Sequence, residues 1–239
     1  MKRVLVAEDE ASIREFIVIN LQRSGYDVTE AADGAQALSE FESSGGDFDV
    51  AVLDIMMPEV DGLEVCKRLR EESRDIGIII LTAKTQEMDK VTGLLMGADD
   101  YVTKPFSPSE LMARVDAVYR RVAISREHAD EAPTDSILTS GEFTLNLRNR
   151  TLSKNGKPIE LTQVEFQIME YFFMKQGAAL TRADILTKAW GNEYYKKYTV
   201  GEEKIVDVNI RRLRMKVEDV PSEPKHLITV WGVGYKWVS

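Results

Sequence analysis

Glu8-Asp9, Asp54, Thr82 and Lys104 are the residues of this sequence whose types and settings suit joint chemistry. Each follows a short apolar run: Val4-Leu5-Val6-Ala7 precedes Glu8, Val50-Ala51-Val52-Leu53 precedes Asp54, Ile76–Leu81 precedes Thr82, and Tyr101-Val102 lies just before Lys104. Short runs that are apolar throughout and rich in β-branched residues read as strands covered on both faces. If those strands are neighbours in one parallel sheet, their polar ends share one edge, where open α/β sheets bind ligands. Three carboxylates meeting there repel one another unless a cation joins them, and an all-oxygen ligand set suits Mg²⁺. A cation at that place neutralises an incoming phosphoryl group. A carboxylate at the end of the buried strand, Asp54, can then attack as a nucleophile and form an acyl phosphate. Lys104 supplies a mobile positive charge for phosphoryl oxygens, and Thr82 a hydroxyl donor. A lone Asp before Pro58 and Asp61-Gly62 would ordinarily only start a turn; the agreement of all four strand ends carries the reading.

The elements needed to bring those ends together are present. Helical spacing recurs over 11–23 (Ile13, Phe16, Ile17, Leu21), 35–42 (Ala37, Leu38, Phe41), about 62–72 (Leu63, Cys66, Leu69), 85–96 and 108–122. A further strand is expected at Tyr26-Asp27-Val28, after Gly25. The alternation is β-α five times, which predicts a parallel sheet with right-handed crossovers and helices on both faces.

The chain has 239 residues and 44% hydrophobic content, enough for two ordinary domains with real cores. No run reaches the roughly 20 apolar residues of a membrane span. The acids at 8–10 break any secretory apolar region, and a single cysteine, Cys66, cannot form an internal disulfide; a cytoplasmic location is expected. The net charge of −9 is unevenly divided: −10 over 1–122, −3 over 123–137 and +4 over 138–239. Such asymmetry indicates two domains with different partners. Residues 123–137 are polar without an apolar period and read as a linker.

The last hundred residues begin with strand patterns at Phe143–Leu147, Arg150–Ser153 and Pro158–Leu161, the latter two joined at Asn155-Gly156. Thr162-x-x-Glu165 is a capping box opening a helix with Phe166, Met169, Phe172 and Phe173 inward. Thr181-x-x-Asp184 opens a second helix through Ile185, Leu186, Ala189 and Trp190. Over about 202–217, Val206, Ile210, Leu213 and Val217 share one face. Lys204, Val208, Arg211, Arg212 and Met215 lie on or near the opposite one, flanked by Asn209 and Arg214. A helix buried on one side with arginines on the other fits insertion into the DNA major groove. A hairpin follows, Leu227–Trp231 and Tyr235–Val238 around Gly232-Val233-Gly234. Three helices followed by a hairpin make a winged helix.

The runs VLVAEDE (4–10), VLDIMMPEVDG (52–62), LTA (81–83) and GADDYVTKPF (97–106) resemble the receiver domain of bacterial response regulators. LTQVEFQIM (161–169), LTRADILTKAWG (180–191), KIVDVNIRRLRMKV (204–217) and ITVWGVGY (228–235) resemble the effector domain of the OmpR/PhoB subfamily. The resemblance implies a flavodoxin-like (βα)5 receiver over 1–122 with parallel sheet order 2-1-3-4-5, and a C-terminal α+β winged helix-turn-helix domain over 138–239. It implies that Asp54 is the phosphoacceptor, that Asp9, Asp54 and the backbone carbonyl of Met56 hold Mg²⁺, and that Glu8 reaches the ion through water. Thr82 and Tyr101 would form a switch pair, Lys104 would contact phosphate, and Lys104-Pro105 would be a cis peptide. Lys90 with Glu110, and Asp100 with Arg114, would pair across a two-fold homodimer formed on phosphorylation; Leu95 and Asp116 stand where a third pair is frequent. Lys204, Asn209, Arg211, Arg212 and Arg214 would approach DNA at tandem half-sites, with Arg182 and Trp190 bracing phosphates and Thr229 and Trp231 on the wing. Many relatives carry Arg where this chain has Trp231. A sensor histidine kinase would be the phosphodonor, touching Ile13, Arg14 and Ile17, and residues 191–201 would meet RNA polymerase.

Two other functions compete with a phosphorylation-switched transcription factor. Aspartyl-phosphate hydrolases use a second Asp two residues after the nucleophile as general acid; Met56 stands there, which speaks against an enzyme acting on external substrates. A receiver whose output is protein binding alone leaves the basic helix and wing without a use.

Overall fold

The computed structural model describes residues 2–83, 94, 96–131, 137–191 and 204–239, with the backbone alone over 124–131. The chain divides into two compact units, Met1–Ala123 and Ile124–Ser239.

The first unit is built from β1 (Lys2–Ala7), α1 (Ala11–Arg23), β2 (Tyr26–Ala31), α2 (Gly34–Ser43), β3 (Val50–Asp54), α3 (Gly62–Glu72), β4 (Gly77–Ala83) and β5 (Asp100–Lys104), followed by α4 (Pro108–Glu131). The strands form one parallel sheet in the order β2-β1-β3-β4-β5, as expected. Apolar residues from both sheet faces are buried: every residue of β3 is, and Val4 to Ala7 of β1 are fully so. Val4, Val6, Val52, Ile79, Leu81 and Val102 join Ile17, Leu21, Leu111 and Val115 from the helices in one core cluster. The register aligns the functional ends, with Ala7 opposite Leu53, Asp54 opposite Leu81, and Ala83 opposite Lys104. Two aspartates start helices: Asp33 accepts from the Gln36 amide, and Asp61 accepts from those of Leu63 and Glu64. The expected helix over 85–96 lies almost wholly outside the described residues. Helix α4 continues to Glu131, past the expected end at 122. No glycine or proline interrupts 108–131 after the first residue, and Ala, Arg and Glu favour helix without needing an apolar face.

In the second unit, β6 (Ile137–Ser140), β7 (Phe143–Asn146), β8 (Thr151–Lys154) and β9 (Lys157–Ile159) form an antiparallel sheet in sequence order. Helices α5 (Gln163–Met174), α6 (Arg182–Trp190) and α7 (Lys204–Val217) follow. A second antiparallel sheet is ordered β10-β12-β11, from β10 (Ala179–Thr181), β11 (Leu227–Val230) and β12 (Gly234–Trp237). Both capping boxes form, at Thr162/Glu165 and Thr181/Asp184. Strands β6 and β10 are additional to those expected from the sequence. Trp237 ties the parts together: its ring packs on Phe143 and Phe173 and its Nε1 donates to Ser140 Oγ at 2.8 Å.

Candidate functional site

At the carboxyl edge of the parallel sheet, carboxylate oxygens of Glu8, Asp9 and Asp54 all lie within 4.8 Å of one another. Glu8 and Asp54 are buried and Asp9 is exposed, so the cluster opens to solvent on one side. Lys104 reaches in from the end of β5, with Nζ 2.7 Å from Glu8 Oε2 and 3.0 Å from Asp54 Oδ1. Glu8 Oε2 is buried and receives no well-aligned hydrogen bond despite that short contact. A buried oxygen with a lone pair to spare, beside two further carboxylates, fits a hard cation with oxygen ligands.

The titration of the group reflects this crowding. Burial pushes the Asp54 carboxyl above its ordinary value; Lys104 opposes the shift and the charge of Asp9 adds to it. Burial likewise raises Glu8, against its hydrogen bond from Lys104. For Lys104, burial acts to lower the ammonium, but the hydrogen bond to Glu8 and the charge of Asp54 outweigh it, and the net shift is upward. The site thus favours a lysine cation held between acids that resist becoming charged, and a second cation would relieve them.

Thr82 is buried, its hydroxyl 3.5 Å from the Ala83 carbonyl oxygen, at the long limit of a hydrogen bond. Tyr101 is also buried. The Met56 side chain is exposed on the loop after Asp54. That loop is held by the Ile55 carbonyl, which accepts from both Met57 and Gly62 amides. The Lys104-Pro105 bond is cis. At Gly62 an added Cβ would stand 2.0 Å from the Asp54 carbonyl oxygen. Gly62→Ala is therefore expected to shift the end of β3 that carries Asp54 and cost about 1–3 kcal/mol, the range of overpacking, read as a lower midpoint of urea unfolding.

On the face expected to carry dimer pairs, Asp100, Glu110 and Arg114 are bonded within the chain. Asp100 and Arg114 are buried and bonded to each other within the chain at 3.0 Å, and Arg114 also meets Glu110 at 3.2 Å. The i,i+4 spacing of 110 and 114, with Asp100 at the start of the adjacent strand, closes these pairs locally. Asp116 accepts from the Tyr26 hydroxyl at 2.6 Å. Lys90 and Leu95 lie outside the described residues. On α1, Ile17 is buried in the core, while Phe16 and Ile19 are exposed. Arg14 donates to the Glu8 carbonyl oxygen at 2.6 Å.

In the second unit, Lys204 and Arg211 are exposed on α7, as expected. Arg214 is half-buried and holds the wing, donating to Leu227 O at 2.8 Å and to Thr229 Oγ1 at 2.9 Å. Arg182, at the start of α6, pairs with Asp207 of α7 at 2.7 Å and lies over the Tyr235 ring. The Tyr235 hydroxyl, pushed up to about 12 by burial and by its bond to Asp207, remains a donor at 2.7 Å.

Three expected contacts are placed differently. Asn209 is fully buried and its amide donates to the Ile205 carbonyl, so it does not face solvent. Arg212 is 4% exposed, 3.0 Å from Glu165 Oε1, and donates to Asn209 Oδ1 at 3.4 Å. Trp190 is 2% exposed and belongs to the core. The reason is that α7 is covered over more than its Val206–Ile210–Leu213 stripe. Val208 is buried too, and Arg212 and Lys216 face Glu165 at the start of α5. Lys216 Nζ lies 2.6 Å from Glu165 Oε2. In the sequence Glu165 shows only as a cap, and the signal for a buried ion-pair cluster is the i,i+4 spacing of the cations Arg212 and Lys216.

Comparison with known proteins agrees with this geometry. Residues 4–116 match the response regulator receiver domain, and residues 156–237 match the C-terminal domain of transcriptional regulatory proteins. The chain is 42% identical over 236 residues to the sensory transduction protein RegX3 of Mycolicibacterium smegmatis, covering 99% of both chains. It is 42% identical over 234 residues to the probable transcriptional regulator ycf27 of Cyanidium caldarium, covering 97% of this chain and 92% of the other. A solved structure of a RitR mutant superposes with a TM-score of 0.75 at 26% identity, covering 99% of each chain. Receiver domains of this kind bind Mg²⁺ at an acidic pocket and take their signal from a sensor kinase, and the C-terminal domain binds DNA. The acidic pocket on a 2-1-3-4-5 sheet in the first unit, and the helix and wing of the second, make this chain a member of the OmpR/PhoB-type two-component response regulators, a receiver joined to a DNA-binding transcriptional domain.

Proposed function

We propose that Asp54 is the phosphoacceptor and that its phosphorylation by a sensor histidine kinase controls dimerisation and promoter binding in the cytoplasm. The convergence of Glu8, Asp9 and Asp54 around Lys104 supports this most directly. Asp54 Oδ forms the new P–O bond as the donor's P–N bond breaks, and the electron pair leaves on the donor nitrogen. Asp9, Asp54 and the Met56 carbonyl would hold Mg²⁺, with Glu8 reaching it through water; the ion, when bound, supplies charge for the phosphoryl oxygens. Lys104 then exchanges a carboxylate partner for phosphoryl oxygen. Thr82 gives up its long bond to Ala83 to donate to the same group, and Tyr101 follows into the space. With Met56 in place of a general acid, the chain is a regulator and not a hydrolase of external substrates.

The kinase would meet α1 through Ile13 and the exposed Phe16 and Ile19 beside Arg14. A homodimer would use the 85–122 face. Asp100, Glu110 and Arg114 enter it only by exchanging partners they already have within the chain. DNA would be met by Lys204, Arg211 and Arg214, by Arg182 at the start of α6, and by Thr229 and Trp231 on the wing. Asn209, Arg212 and Trp190 act behind that surface as positioning residues. Residues 191–201, proposed for RNA polymerase, lie outside the described residues apart from Gly191.

The metal assignment has a pH signature. Because Asp54 and Glu8 are raised, the folded pocket binds protons more readily than the unfolded chain, so without metal its contribution to stability falls as pH rises through their folded values. Metal binding needs the deprotonated forms. Mg²⁺ is therefore expected to stabilise the chain against urea by about 2–3 kcal/mol near a hundredfold excess over its dissociation constant at pH 8, and by much less at pH 5. Equal stabilisation at both pH values, or none, would argue against a carboxylate site.

A further inference from the structure

The turn of the wing is built unlike the rest of the DNA-facing surface. From Leu227 to Tyr235 the hairpin contains no Lys, Arg, Asp or Glu. At its tip stands Trp231, 91% exposed, although the other two tryptophans, Trp190 and Trp237, are buried. Val233 is exposed beside it. Nothing about the backbone leaves this tip loose. The Val233 amide donates to the Val230 carbonyl at 3.0 Å, Gly232 takes φ 76° to close the turn, and Val230 pairs with Gly234. Tyr235 and Trp237 anchor β12 in the core. Arg214 clamps β11 onto the recognition helix through Leu227 and Thr229. An indole is thus presented to water on a rigid support, continuous with the helix that carries Lys204 and Arg211.

We infer that Trp231 is an uncharged wedge for DNA, and this rests on the DNA-binding reading of the second unit. With α7 in the major groove, the wing reaches the neighbouring minor groove. A tip with no charge gains little from phosphates; it gains by packing indole against sugar walls and the edge of a base step. Apolar side chains used this way partly unstack and kink the duplex, most cheaply at pyrimidine–purine steps. Two consequences separate this from a charged wing. The contact adds affinity without adding counterion release, and it selects a deformable step at a fixed distance from the major-groove site.

The test uses the phosphorylated full chain and a duplex enriched by that chain from a random pool. Binding is read by anisotropy of the labelled duplex, and Trp231 by the difference in emission between the chain and Trp231→Phe. Bound DNA should shift the Trp231 signal and shield it from acrylamide. Trp231→Ala should weaken binding about tenfold, within the worth of an aromatic–base contact, with the slope of log affinity against log salt unchanged. Trp231→Phe should keep most of the affinity, and Trp231→Arg should steepen the salt slope by about one phosphate. Binding by anisotropy with an unshifted, fully quenchable Trp231 would overturn the wedge and leave the DNA reading intact. Failure of the pool to yield any bound duplex would overturn both.

Discussion

The chain carrying Asp54→Asn is expected to take up no phosphoryl group from a small phosphodonor with Mg²⁺, and the unsubstituted chain to be labelled stoichiometrically. An amide of the same shape offers no anionic oxygen to attack phosphorus and no charge to share with a divalent ion. Folding is expected to survive: Lys104 keeps its 2.7 Å contact with Glu8 when it loses the one with Asp54. The substitution also removes a carboxyl that burial already makes reluctant to ionise. Unfolding free energy should change by less than about 1 kcal/mol, so loss of labelling with an intact urea transition isolates the chemistry. Stoichiometric labelling of the variant would place the phosphoacceptor elsewhere.

The second large effect concerns Glu165. Its carboxylate is fully buried between Arg212 and Lys216 and also accepts from the Thr162 amide at 2.8 Å. Burial alone would raise its pKa; the two cations and the capping bond overcome that and hold it below the ordinary carboxylate range. Arg212→Ala or Glu165→Ala leaves a buried charge short of its partner and is expected to cost about 3–5 kcal/mol, read as a lower urea midpoint for the second unit. Because the folded pKa is depressed, this stabilisation is complete above the unfolded value of about 4.5 and disappears as pH falls through the folded one. The difference between wild type and Glu165→Ala should therefore narrow under acid. DNA binding by Arg212→Ala should weaken with the fraction folded and keep its salt slope, whereas Arg211→Ala should lower the slope by about one. A lower slope for Arg212→Ala, with an unchanged urea midpoint, would return Arg212 to the DNA surface.

These two residues mark where the sequence was legible and where it was not. The acidic pocket could be read because its logic is local: an apolar run ends and a polar residue of the right type follows, at Ala7-Glu8, Leu53-Asp54 and Leu81-Thr82. Parallel pairing then brings those ends together without further information. The alternation predicts a parallel sheet, the family resemblance supplies its order, and the uneven charge marks the two domains. The face of the recognition helix was less legible. Arg211, Arg212 and Arg214 are chemically alike and closely spaced, and periodicity cannot say which of them meets a buried acid. That acid, Glu165, is 51 residues from its second cation, Lys216. Likewise Asp100 and Arg114 looked like surface charges, because nothing in their own segments shows that strand β5 and helix α4 close over them. The end of α4 differs for another reason: the apolar period stops near 122, but the helix continues to Glu131 through residues that favour helix without it.

On the proposed reading, charge placed on Asp54 changes what the second unit does to DNA. This is tested most directly by measuring, at one salt concentration and fixed Mg²⁺, the affinity of the full chain for its enriched duplex with and without a small phosphodonor. Tighter binding is expected with the donor, and no change with the donor in Asp54→Asn. Equal affinity in both conditions, with labelling of Asp54 confirmed by mass, would contradict a phosphorylation-controlled DNA switch.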